Sequence, residues 1–135
     1  MKSDDRHNAL AIGQGVYFAA TGIWPLVDMR SFEAVTGPKA DKWLVRTVGV
    51  LVAVIGGALI SAGARRAVTP EIAGLAIGSA AGLGLIDVIY SSNGRISKIY
   101  LADAAAEAAV IAAWTVGLQP DVDSGPPRSS IQQRR

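Results

Sequence analysis

The sequence predicts an all-α protein, a bundle of four transmembrane helices with both termini on the same side of the bilayer. Three observations carry that prediction. Half of the 135 residues are hydrophobic and only 18% are charged, where a soluble domain has about 25%. Four apolar runs each approach the roughly 20 residues that cross a hydrocarbon core of about 30 Å. Fifteen glycines and few aromatics suit helices that approach closely in lipid better than a soluble core, which needs bulkier side chains.

The elements follow in order. Residues 1–8 read as a polar N-terminal segment. The first span, 9–27, holds no charged residue and ends near Pro25, where a helix kinks or stops. It is longer than the apolar region of a signal peptide, and no A-x-A-like cleavage site follows. The second span, 43–64, is closed by Arg65 and Arg66, cations suited to the negative end of a helix dipole. Thr69-Pro70-Glu71 opens the third span, 71–90, with a capping hydroxyl, a first-turn proline and an acid. Turn residues Ser91 to Gly94 close it, and Ser97 can cap the fourth span, 98–118. The Pro/Ser-rich tail 119–135 reads as disordered.

Composition also excludes chemistry. Without cysteine there are neither disulfides nor thiolate sites, and His7 is the one histidine, so no metal site and no cofactor are expected. A net charge of +2, with no basic stripe interleaved with aromatics, argues against nucleic acid. Lys and Arg divide seven to six between the terminal side and the side of the connecting segments 28–42 and 91–98. That difference is too small to set the orientation by the positive-inside rule, and termini on the cytoplasmic side are the expectation.

Four ionisable groups stand out against this background. Asp87 in the third span, Asp103 and Glu107 in the fourth, and Arg46 in the opening turn of the second all lie in the half of the bilayer next to the connecting segments. A lone aspartate at a helix centre costs roughly 2.5–3.5 kcal/mol to insert. The alanine-rich fourth span offers little to offset two acids, so Asp103 and Glu107 are expected to face inward, on one stripe with Trp114. Arg46 is the expected counter-ion for one carboxylate. Three acids against one arginine leave Glu107 as the group expected to hold a proton.

Gly74, Gly78 and Gly82 recur every four residues, a small-xxx-small face expected to pack against a helix of the monomer or of a second copy. The segment 31–49 is the most distinctive. Ser31 can cap a short amphipathic turn to Val35, Gly37-Pro38 breaks it, and Asp41 can cap the second span. Trp24, Trp43, Tyr90 and Tyr100 fall at this interface as an aromatic belt would. Lys39 and Lys42 could approach an anionic headgroup if the segment forms a lid over the acids.

The stretches WPLVDMRSFEAVTGPKADKWLVRTVG and NGRISKIYLADAAAEAAVIAAW resemble a family of small bacterial four-helix integral membrane proteins. The resemblance covers roughly residues 10–117. It implies the topology and a bacterial membrane, and brings no activity with it.

No catalytic set is visible, since no histidine lies in the predicted spans to activate a serine or threonine. The expectation is therefore a non-enzymatic membrane component, held in the bilayer as a homo-oligomer or part of a larger complex, with the acids fixing the bundle. The rival expectation is a small proton- or cation-coupled transporter using Glu107 and Asp103. It resembles small multidrug transporters in size and span count. It departs from them in the first span, which carries Gln14 where they place their essential acid.

Overall fold

In a computed structural model the protein is described over residues 2–119. All its regular elements there are helices: α1 (Ser3–Val27), α2 (Met29–Thr36), α3 (Lys42–Ala64), α4 (Pro70–Ser92) and α5 (Ile99–Gly117). Four of them, all but α2, are long and apolar enough to cross a membrane. The tail predicted to be disordered lies, apart from Gln119, outside the described residues.

The chain runs up and down. The backbones of α1 and α3 touch at Gly15 against Gly56 and at Gly22 against Gly49, and Gly63 sits against Asn8. Those pairings require an antiparallel arrangement. The Ser3 hydroxyl donates to the carbonyl of Gly117 at 3.3 Å, which brings the start of α1 to the end of α5. Both ends of the described chain therefore lie on one side, the terminal side; α2 and the turn between α4 and α5 occupy the other, the loop side.

Two kinds of packing hold the bundle. Along α1 and α3 the contacts repeat every seven residues, at 8, 15 and 22 on one helix and 49, 56 and 63 on the other. A Cβ placed on Gly56 would lie 2.5 Å from the amide nitrogen of Ala19 and 2.6 Å from the carbonyl oxygen of Gly15. Only glycine allows that approach. The α4–α5 side packs through alanines instead: Ala73, Ala76 and Ala80 are buried, with Asp87 and Ser91 continuing the same face. Ala11, Leu59, Ala73, Ala76 and Trp114 form the apolar core that joins the two halves.

Several expectations are corrected. Residues 3–8 belong to α1, begun by Asp4 and Asp5 in its first turn, where acids suit the positive end of the dipole. Gly74, Gly78 and Gly82 point out of the monomer, and a Cβ on any of them meets nothing within 4 Å. The alanine face of α4 already fills the interior contact, so the glycine ridge turns away from it. Asp28, not Ser31, caps α2, its Oδ1 accepting from the Ser31 amide at 3.1 Å. Asp41 precedes α3, yet its side chain caps nothing. Thr69 does cap α4, and the Ser97 hydroxyl accepts from the Ile99 amide at the start of α5.

Candidate functional site

The polar interior lies between α1, α4 and α5. Because α5 presents residues 103, 107, 110 and 114 inward, its acids meet the other helices in a fixed order of depth. Near the loop side the Tyr17 hydroxyl donates to Asp103 Oδ1. One turn deeper, about 12 Å from the start of α5 at 1.5 Å per residue, Glu107 is 1% exposed. Gly84 of α4 makes room for it, since a Cβ there would come 3.3 Å from Glu107 Cβ. Asp87 is buried on the same side of α4.

Asp103 and Glu107 thus share the inward face of α5, one turn apart, and α4 turns Gly84 and Asp87 toward the same interior. Two carboxyl oxygens there, Glu107 Oε2 and Asp87 Oδ2, are buried without a hydrogen-bond partner among the described residues. Arg46 does not join them. It is exposed on α3 and forms no ion pair among the described residues. Depth along a helix fixes how far a residue lies from the surface, while its rotation about the axis decides what it faces.

Toward the terminal side the polar interior continues through Trp114, on the inward stripe of α5, and through Gln14 and His7, whose inward role no local pattern reports. Trp114 Nε1 donates to Gln14 Oε1 at 2.8 Å, and Gln14 Nε2 donates to the Ala76 carbonyl at 2.8 Å. Gln14 thus ties α5 to α4 through α1. The His7 ring stacks on Trp114, centroids 5.9 Å apart and planes 8° from parallel, and its Nε2 is buried without a partner. It borders a cavity of about 170 Å³ shared with Asp4, Asn8 and Arg66. Polar side chains therefore mark successive levels across the bundle: Asp103 with Tyr17, then Glu107, then Gln14 with Trp114, then His7.

The loop side is closed over by α2 and the connection to α3. Glu33 organises this cover: its Oε1 accepts from the Lys39 amide at 2.9 Å and its Oε2 pairs with Lys42 Nζ at 3.2 Å. The Lys39 amide, reinforced by Lys42 and Lys39 charge, holds the Glu33 carboxyl below its ordinary range. Trp24 donates to the Ser31 hydroxyl at 2.8 Å and packs edge-on against Phe32. Beneath this cover lies a cavity of about 280 Å³ that has Asp103 in its wall. Trp43 is 68% exposed and faces away from it, an orientation suited to a membrane interface.

Among the described residues no group of three His, Cys, Asp or Glu side chains converges closely enough to hold a metal ion. The acids are near one another without forming a ligand shell. No protein-family model, curated protein or solved structure matches the chain.

Proposed function

We propose that this chain is a small multi-pass carrier of a bacterial inner membrane, with cytoplasmic termini, that exchanges a proton or small cation at Glu107. One observation supports it above the rest: a carboxyl 1% exposed in mid-bundle, with an oxygen that has no hydrogen-bond partner among the described residues. Two further acids, Asp103 and Asp87, share this interior, and among the described residues the ion pairs lie elsewhere, at Glu33–Lys42 and Asp5–Arg66. A polar group kept only to bind helices together ends in a satisfied bond, as Gln14 does. An intramembrane acid left open is suited to exchange. Asp103 lies one turn from Glu107 toward the loop-side cavity, and His7 lies toward the terminal-side cavity beyond the level of Gln14 and Trp114, so ionisable groups stand on both sides of Glu107 at different depths.

The test is proton flux in proteoliposomes under an imposed pH gradient. The wild type carries protons into or out of the vesicle and Glu107→Gln does not, while both reconstitute equally. Equal flux in the two, or none in either with any cation gradient, removes the reading.

A second reading has its own support. The exposed ridge of Gly74, Gly78 and Gly82 gives α4 an outer face on which a second copy or another membrane protein could pack closely, which fits an accessory component of a larger assembly. The chain lacks cysteine, so Gly78→Cys provides a single site for cross-linking in native membranes. A homodimer or a fixed partner trapped there favours the accessory role, and monomer alone removes it.

A further inference from the structure

Between α1 and α5, on the terminal side, the surface opens into a groove of about 780 Å³. The two helices are tied on either side of it. The Ser3 hydroxyl donates to the Gly117 carbonyl at 3.3 Å, and the Tyr17 hydroxyl donates to Asp103. Between these ties small residues line both walls, Ala9 and Gly13 on α1 and Ala109, Ala112 and Ala113 on α5. A Cβ on Gly13 would meet nothing within 4 Å. Ala9, Gly13, Ala109 and Ala112 are exposed, so the groove opens outward. In a bilayer crossed by the four apolar helices, that face meets lipid.

Its length and its polarity are those of one lipid chain below a headgroup. On α1 the lining runs from Arg6 to Gln14, about 12 Å at 1.5 Å per residue. One leaflet of a hydrocarbon core is about 15 Å deep, half of roughly 30 Å. The lining carries charge at one place only, Arg6, at the outer end. A guanidinium has five N–H donors in a fork that matches phosphate, so it can hold a headgroup beside the contact it already makes. A third helix is a poorer occupant. It measures about 10–12 Å across with its side chains, and α1 and α5 are joined by direct hydrogen bonds at both ends of the gap.

We propose that this groove binds one anionic phospholipid of the terminal-side leaflet, with an acyl chain along Gly13 and the alanines of α5 and the phosphate at Arg6. Helices in lipid are held by close packing and hydrogen bonds, and the chain supplies the packing that the small residues leave out. It also covers Gln14, which lies at the inner end of the groove and ties α1 to α4 and α5. The bound lipid thus closes the polar interior on its side facing the membrane. This inference is independent of exchange at Glu107 and needs only that the helices cross a bilayer.

Native mass spectrometry of the full chain in mild detergent, titrated with dioleoylphosphatidylglycerol or dioleoylphosphatidylcholine, tests the site. The wild type is expected to hold one phosphatidylglycerol, more tightly than phosphatidylcholine. Arg6→Gln weakens phosphatidylglycerol by roughly fivefold, the worth of one basic residue at an anionic lipid surface, and removes the preference. Gly13→Phe fills the groove and loses both lipids, while its unfolding temperature stays at the wild-type value. Ala109→Phe, on the facing wall, gives the same loss if Gly13→Phe does not fold. No discrete one-to-one adduct in the wild type, or an adduct that both filling variants keep, overturns the proposal. A dimer mass that Gly13→Phe removes would give the groove to a second copy. Lipid binding that appears only after residues 120–135 are removed would give it to the tail. Either result also overturns the proposal.

Discussion

The two halves of the bundle are held by opposite means. Along α1 and α3, backbone meets backbone at glycines seven residues apart, and no side-chain polar contact is needed. Between α1, α4 and α5 the contacts are side chains with polar ends: Gln14 to Trp114 and Ala76, Tyr17 to Asp103, and Glu107 against Gly84. In lipid the apolar surroundings do not drive helices together, so close packing and hydrogen bonds must. Within the spans the first half relies on packing, with the Asp5–Arg66 ion pair at 3.4 Å confined to its terminal-side end, and can serve as a rigid frame. The second uses polar groups and leaves some of them open, and an open group in a firm frame is what an exchange site requires.

The comparison breaks most severely at the glycine seam. Gly56→Leu puts its first carbon within 2.6 Å of two backbone atoms of α1, which cannot move aside as a side chain tip would. Overpacking of this kind costs about 1–3 kcal/mol or more, and thermal unfolding in detergent, followed by circular dichroism, should show the largest fall of any substitution named here. A smaller loss is expected on the polar side. Gln14→Leu leaves the Trp114 N–H without its acceptor and removes one donor from the Ala76 carbonyl, which still accepts from the Ser79 hydroxyl, and hydrogen bonds between membrane helices are worth about 1–2 kcal/mol. The same unfolding experiment should rank it below Gly56→Leu, and the reverse order would show that the polar contacts are the frame.

The cover responds to pH in a definite direction. Glu33 is held below its ordinary range by the Lys39 amide first, then by Lys42. A group whose folded value is depressed stabilises the fold above its unfolded value, about 4.3, and loses that contribution as pH falls through the folded value. The protection of amides over residues 33–42, taken relative to their intrinsic exchange at each pH, should therefore fall on acidification below about pH 4 in the wild type. In Glu33→Gln that protection should be low and independent of pH. The smallest effect belongs to the outward ridge. Gly78→Ala adds a carbon that meets nothing within 4 Å, so monomer unfolding shifts by no more than about 0.5 kcal/mol, and any larger change would mark that face as already occupied.

Much of this was legible in the sequence, for reasons of length and period. Span length and apolar composition identify the four helices long enough to cross a membrane, two of them despite the acids they carry. The acids could be grouped by depth, and Asp87, Asp103 and Glu107 do converge. Depth carries no information on rotation, so Arg46 was grouped with them and points elsewhere. The four-residue glycine period in α4 is conspicuous and faces outward; the seven-residue period of Gly15 and Gly22 with Gly49, Gly56 and Gly63 was the signal of the seam. Gln14 looked like the absence of an acid. Its role depends on Trp114, a hundred residues away, and no local pattern reports such a pair.

Infrared difference spectroscopy of the protein in lipid, recorded as pH is stepped, tests the central claim most directly. The account predicts a carboxyl C=O band that appears and disappears with pH, is absent from Glu107→Gln, and survives in Glu33→Gln. A spectrum without any pH-dependent carboxyl band assignable to Glu107 would contradict it, leaving that residue a fixed part of the bundle.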